Sequence, residues 1–347
     1  MVVTQIGNAP TGQGGISSVV AGHALRRAAG LNVEVRPSYD PAGRSFVRRN
    51  EPSVKVLLWL LRTRPSAGHV IHLHLAQRGS YLREGVLLWL ARLRGHKALV
   101  VSLHASSLSK APPAELRFLA RLLTPARTVH VLGRLYRDLL SHAGLRKPVV
   151  VLPNDVDVPP TVPPLSVRPQ VVLFLGQIGE RKGVDLLLDA WESVRPEGWL
   201  LLLRGPLQPE SGAALAERAR RTAGVEVLGV GSRSEARADL LRSRVLALPS
   251  RAENFPMAIC EGLAAGCLVV ASDAGAVPEL LRHTPSRCFP TENQQALEDA
   301  LAQAMKDATT GDGDREASQN HERAGVELAV DVLTERWMEV YREACAT

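Results

Sequence analysis

The stretch Val245-Leu-Ala-Leu-Pro249-Ser-Arg-Ala-Glu253-Asn-Phe-Pro256-Met-Ala-Ile-Cys-Glu261-Gly-Leu-Ala-Ala-Gly266-Cys-Leu-Val-Val-Ala-Ser-Asp273 decides the fold. It reads as a buried strand (Val245–Leu248), a polar loop, a helix near 257–265 and a second apolar strand (Leu268–Ala271). Pro256 stands where a first helical residue belongs, with its φ preset and no amide proton required. The amides of Met257 and Ala258 then lack intrahelical partners and suit a diphosphate. Glu253 lies just before the helix and Glu261 about one and a half turns into it, so both can face one cleft at different depths. An ionised carboxylate accepts several hydrogen bonds. One of the two therefore suits sugar hydroxyls and the other a ribose diol.

The same alternation extends in both directions. In the first half, Val2–Ile6, Val33–Val35, Val70–Leu73, Ala98–Leu103, Thr128–Leu132 and Val149–Leu152 read as strands. Helix-period segments lie between them near 15–29, 53–63, 81–94, 114–123 and 134–143. Five prolines within 158–169 predict a stiff linker. A second series follows, with strands at Val171–Leu175, Leu200–Leu203, Val225–Leu228, Val245–Leu248 and Leu268–Ala271. Helices are expected near 183–195, 211–223, 235–241, 257–265 and 293–308, with 309–320 a polar loop. A last helix over 324–344 carries Val326, Ala329, Val330, Leu333, Trp337, Val340 and Tyr341 on one stripe. The fold class is thus α/β, with two facing doubly wound, Rossmann-like domains and an interdomain cleft at the carboxyl ends of the strands. The expected organisation is 1–157 as a first Rossmann-like domain, 158–169 as linker and 170–323 as a second Rossmann-like domain. The remaining 324–347 form a C-terminal helix able to pack back on the first domain.

At 347 residues the chain suits two domains. No run approaches the roughly 18 to 20 apolar residues that cross a bilayer, and no basic n-region opens a signal peptide. Cys260, Cys267, Cys288 and Cys345 form neither CxxC pairs nor a disulfide framework, which points to reduced thiols and the cytoplasm. The net charge of +7 divides unevenly: residues 1–150 hold 22 Lys and Arg against 6 Asp and Glu. A basic half suggests an anionic partner such as a membrane surface or a phosphorylated acceptor. Nucleic acid is disfavoured, because aromatics are only 4% and no reader motif is present.

Two glutamates eight positions apart in this Pro-Ser, Phe-Pro and Glu-Gly-Leu-Ala setting resemble the signature of family 4 retaining glycosyltransferases (glycosyl transferases group 1) with the GT-B fold. The sequel Gly275-Ala-Val-Pro-Glu279 matches too. The resemblance implies that Glu253 contacts the donor sugar and Glu261 holds the ribose, with Asn254, Phe255, Pro256, Met257 and Ala258 around the donor. Phe174-Leu-Gly176-Gln177-Ile-Gly-Glu-Arg181-Lys182-Gly183 follows a strand as a Gly-containing phosphate niche, and resembles the family's Gly-Arg…Lys-Gly element. Lys182 would supply positive charge for the departing diphosphate. The chain departs from the family at Gln177, where an arginine is usual, which leaves Arg181 or Arg204 as the second cation.

In the first domain, Thr11-Gly-Gln-Gly14-Gly15-Ile16 resembles the family's glycine loop, and its amides can approach a phosphate or acceptor. His104, at the end of a strand, matches a histidine that lies beside the transferred sugar in the family. His72-Leu-His74 alternates along another strand end with one ring expected to point inward, and no metal set is read from it. The resemblance implies a metal-independent retaining glycosyltransferase with a UDP- or GDP-linked donor and no further cofactor. A glycan or polyprenyl-linked acceptor fits the basic half. A sugar-nucleotide epimerase and a non-catalytic nucleotide- or partner-binding protein are the alternatives. Finally, the segment from Arg48 to Arg64 combines basic ends with an apolar helix. Leu57, Leu58 and Leu61 suit the core, and Trp59 among arginines suits an anionic membrane interface, so the chain is expected in the cytoplasm or peripherally on the inner face of the membrane.

Overall fold

The apolar runs fold as two six-stranded parallel sheets. The computed structural model describes residues 1–8, 31–40, 43, 45–76, 78–104, 108–194 and 197–346. Gly14, Gly15 and the helix expected over 15–29 lie outside the described residues. Two units emerge, Met1–Asn154 with Asp331–Thr347, and Asp155–Val330.

The first sheet has the order β2-β1-β3-β4-β5-β6, from β1 (Val2–Asn8), β2 (Asn32–Tyr39), β3 (His69–Leu75), β4 (Leu99–Leu103), β5 (Thr128–Val131) and β6 (Val149–Val151). Its helices are α1 (Phe46–Arg62), α2 (Arg78–Leu93), α3 (Pro113–Leu122) and α4 (Arg134–His142). Ser45 caps α1 by accepting from the Arg48 amide at 3.2 Å. That helix buries Val56 and Leu60 and leaves Leu58 and Leu61 exposed, so its inward stripe runs one step off the expected one.

The second sheet has the order β12-β11-β10-β7-β8-β9. Its strands are β7 (Val171–Leu175), β8 (Leu200–Arg204), β9 (Val225–Gly229), β10 (Val245–Leu248), β11 (Leu268–Ser272) and β12 (Arg287–Phe289). The helices are α5 (Val184–Val194), α6 (Gly212–Arg221), α7 (Arg233–Arg242), α8 (Met257–Ala264), α9 (Val277–Leu280), α10 (Gln294–Asp307) and α11 (Gly311–Glu327). The chain runs outward from β7 to β9 and then returns to β10 beside β7. The strand order reverses there, and in open α/β sheets ligands bind outside the carboxyl ends of the strands at such a point.

Two expectations are corrected. The polar stretch 309–320 is not a loop but the start of α11, which presents Gly313, Ala317, Asn320 and Ala324 as a buried stripe of small residues. Asn320 Nδ2 donates to the Cys267 carbonyl at 2.8 Å and His321 Nδ1 to that of Ala264 at 2.7 Å, so tertiary contacts override weak helix propensity. The last helix, α12 (Val330–Cys345), starts six residues later than expected and leaves Val326 exposed on α11. The Pro-rich stretch lies with the second unit. Buried Arg168 fastens it there, donating to the carbonyls of Pro163 (3.0 Å), Ser243 (2.8 Å) and Ala265 (2.8 Å).

Candidate active site

At the reversal between β7 and β10, two loops meet. After β7 the chain turns through Gly176 and Gln177 into a short 3-10 turn, Glu180–Lys182. Gly183 closes that turn at φ 70°, and a Cβ there would lie 1.9 Å from the Pro249 carbonyl oxygen. Only glycine lets the lysine loop come this close to the loop after β10. Lys182 Nζ thereby reaches Glu253 Oε1 in an ion pair whose side chains are 15% and 7% exposed. Ser250 Oγ donates to the same carboxylate oxygen at 2.7 Å. Arg251 forks onto Asp185 at 2.8 and 2.7 Å and so pins the Glu253 loop to α5.

The other residues expected around the donor lie on the same unit. Pro256 is the N-cap of α8 and Met257 its first helical residue, one position later than expected. The Met257 and Ala258 amides precede the first bond of the helix, Ile259 N to Pro256 O at 3.1 Å. Asn254 and Phe255 are buried in the loop before it. Glu261 is half-buried on α8, and burial pushes its carboxyl up to about 7 against the opposing pull of Arg233. Gln177 is half-buried in the turn after β7. Of the two arginines considered in its place, Arg204 is buried with its Nε on Asp239 Oδ2 at 2.5 Å. Arg181 is exposed, and its guanidinium donates to the Ala252 carbonyl at 3.3 Å, one residue from Glu253.

In the first unit, His104 follows β4 and is buried. Its Nε2 lies 3.0 Å from His74 Nδ1, with the rings nearly parallel at 5.3 Å between centroids. Burial holds both imidazoles well below their usual range, so both are neutral at neutral pH. His72 is buried as well, contrary to the expectation of a single inward ring, because residues two apart on a strand share a face.

A directed chain of hydrogen bonds runs beside this pair. His130 Nε2 must donate to the Leu152 carbonyl (2.9 Å), so its Nδ1 accepts from Ser102 Oγ (2.7 Å). Ser102 accepts in turn from His72 Nε2 (2.7 Å), and His72 Nδ1 accepts from the Tyr341 hydroxyl (2.9 Å). Trp337 packs against His72 and His130 at 5.0 and 4.6 Å between centroids, which fixes α12 to the sheet. Among the described residues no group of His, Cys, Asp and Glu is arranged to hold a metal ion.

Residues 169–307, which contain the whole Lys182–Glu253 site, match the family model described as "Glycosyl transferases group 1". Alpha-maltose-1-phosphate synthase of Mycobacterium tuberculosis is 28% identical over 195 residues, covering 52% of this chain and 49% of that protein. D-inositol 3-phosphate glycosyltransferase of Mycobacterium sp. (strain KMS) is 33% identical over 127 residues, covering 34% and 28%. The chain thus spans about half the length, or less, of the curated relatives it matches. In fold it is similar to sucrose-phosphate synthase from Thermosynechococcus elongatus, with a TM-score of 0.77, 17% identity and coverage of 99% and 98%. Anabaena HepE in complex with UDP gives 0.75, 18%, 98% and 99%. The fold class is GT-B, an α/β arrangement of two parallel six-stranded sheets.

Within the second unit, the structure brings together Lys182, Glu253 and Ser250, with Arg181 on the neighbouring Ala252 carbonyl. It commits Arg204 to Asp239 instead. Ser250 and His74 escaped the sequence reading as partners of Glu253 and His104. For His74, the His-Leu-His spacing beside a second strand ending in histidine was the available signal. For Ser250 there was none, since serine is common in such loops.

Proposed function

We propose that the chain transfers a glycosyl group from a nucleoside diphosphate sugar to a glycan or polyprenyl-linked acceptor, with retention of anomeric configuration and without a metal ion. The buried Lys182–Glu253–Ser250 set at the strand-order reversal of the second sheet carries this reading. As the bond to the anomeric carbon lengthens, negative charge grows on the leaving diphosphate. Lys182 and the first amides of α8 stabilise that charge from fixed positions. Arg181, beside Lys182 and not committed to a carboxylate as Arg204 is, is the second cation in place of the family's arginine. Glu253, held by Ser250, accepts from sugar hydroxyls, and Glu261 in its ionised form accepts from the ribose. The acceptor hydroxyl attacks from the leaving-group face and its proton passes to the departing diphosphate, so no covalent enzyme intermediate forms. In the first unit, neutral His104, steadied by His74, hydrogen-bonds the transferred sugar. HepE has been solved with UDP, which supports a nucleoside diphosphate in this fold.

Gln177 in place of arginine favours one second reading, a unit that binds nucleotide without turnover. Both readings meet in one assay, nucleoside diphosphate release from UDP- and GDP-linked hexoses in the presence of EDTA, with the product's anomeric configuration read by NMR. Metal-independent release with retention is expected. Tight binding without release would establish the second reading, and inversion would contradict the mechanism.

A further inference from the structure

A helix that covers a sheet normally turns polar residues outward, and one that is apolar all round needs a cover on both sides. In the first unit, α2 buries Tyr81, Leu87, Leu88 and Ala91 against its own core. Its outward side is nevertheless Leu82, Val86, Trp89 and Leu93, which are 62%, 62%, 44% and 79% exposed. These four repeat at helical spacing and form one stripe along the full helix. The neighbouring α1 adds Val54, Leu58 and Leu61, all exposed. On the other side, Gly85 of α2 lies against Leu122 of α3, and α3 shows Phe118 to solvent. Exposed apolar residues are ordinary when scattered, but a contiguous patch of this kind marks an interaction surface.

The chemistry around the stripe selects the occupant. Helices α1 to α3 contain nine Lys and Arg against Glu51, Glu84 and Glu115. Glu51 is paired with Lys55 at 2.8 Å and Glu84 is buried between Ser38 and Arg83, which leaves the three helices a net charge of +6 (9 − 3). Arg48, Arg49, Arg62, Arg92, Arg117 and Arg121 remain exposed around the apolar stripe. A second copy of the chain meeting this face through a two-fold axis would set positive charge against positive charge. A bilayer with anionic lipids supplies the complement, since its interface takes up apolar side chains and its headgroups attract the basic rim. Trp89 has the apolar body and polar edge that favour that depth. Among the described residues no helix is long and apolar enough to cross a membrane, so this is a surface contact.

We propose that the outward face of α2, with α1 and α3 beside it, docks this chain on an anionic bilayer. The sequence alone pointed to α1 through Trp59. The structure turns Trp59 toward Arg36, whose guanidinium lies 4.5 Å over its ring, and toward His69. Because α2 starts just after β3, its Leu82 end lies nearest the carboxyl edge of the first sheet, where His74 and His104 sit. The docking face does not rest on the glycosyl-transfer reading, and its test uses no activity.

The test is flotation of the full chain with phosphatidylcholine vesicles, with and without phosphatidylglycerol, at low and high salt. Binding is expected to the anionic vesicles and to weaken with salt, as charge attraction at a surface does. The variant V86D/W89D should lose about tenfold or more of that partition while keeping the wild-type unfolding temperature, since both positions are exposed. R92A/R94A should lose partition while W89F keeps most of it. L93K serves as a second probe of the stripe if the aspartate pair unfolds. The proposal is overturned if the wild-type chain stays with the buffer at low salt, or if V86D/W89D and L93K float as the wild type does. It is overturned equally if light scattering shows dimers that these variants convert to monomers, because the face would then belong to a second copy.

Discussion

The two units treat polarity in their interiors in opposite ways. The second places charge there: Lys182 on Glu253, Arg204 on Asp239, and Arg168 on three carbonyls. The first, much the more basic by composition, buries the Arg83–Glu84 pair but builds the polar chain of its core from histidines joined through Ser102 and Tyr341. Buried charges cost several kcal/mol each unless paired, so the second unit is sensitive to losing either partner. A neutral hydrogen-bond chain nets only about 1 kcal/mol per bond, and its influence lies in direction and register. The difference separates a unit whose interior is held by charged groups from one whose interior holds a helix and a pair of imidazoles in place.

The largest effect should come from Lys182→Ala. Loss of a preorganised cation is expected to lower turnover by about 10²–10³-fold, and removing the counter-charge of Glu253 should cost roughly 3–5 kcal/mol of stability. The double variant Lys182→Met/Glu253→Gln should regain most of the stability in denaturant titration but none of the turnover. If the single variant turned over normally, the interior charge would be structural only. Next, Arg168→Met leaves three carbonyls without their donor and should destabilise the second unit by about 2–4 kcal/mol, followed by amide exchange. Nucleotide affinity in the folded fraction should not change.

Glu261 gives a pH-dependent prediction. Its carboxyl is raised from 4.5 to about 7 by burial, so its ionised form opposes folding fully above pH 7 and not at all below 4.5. Glu261→Gln should therefore stabilise the chain at pH 8 by about 3 kcal/mol, for 2.5 units at 1.36 kcal/mol per unit, and hardly at all at and below pH 4.5. Wild-type nucleotide affinity should fall as pH drops through 7, because a protonated carboxyl accepts less well. The smallest effect is that of Tyr341→Phe, about 1 kcal/mol, seen as faster amide exchange in α12 alone.

Much of the fold was legible because both sheets are parallel and covered on both faces, so their strands are continuous apolar runs. Three-residue β12 (Arg287–Phe289) was not, since an edge strand of Arg, Cys and Phe carries no such run. Nor was α11, whose small buried face has meaning only against α8 and the loop before β11. The charged residues of the site stood out by motif, whereas their neutral partners Ser250 and His74 depend on contacts between distant segments. The helix α2 stripe was missed for a related reason: a helix apolar on both sides looks like core until one side is found uncovered.

The most direct test is calorimetric titration of the full chain and of Lys182→Ala with UDP, GDP and ADP. One of UDP or GDP is expected to bind in preference to the others, and the variant to lose about 100-fold in affinity, roughly 2.7 kcal/mol. Binding that is indifferent to Lys182, or no binding of any nucleoside diphosphate, would contradict the claim that the second unit's interior charges form a donor site.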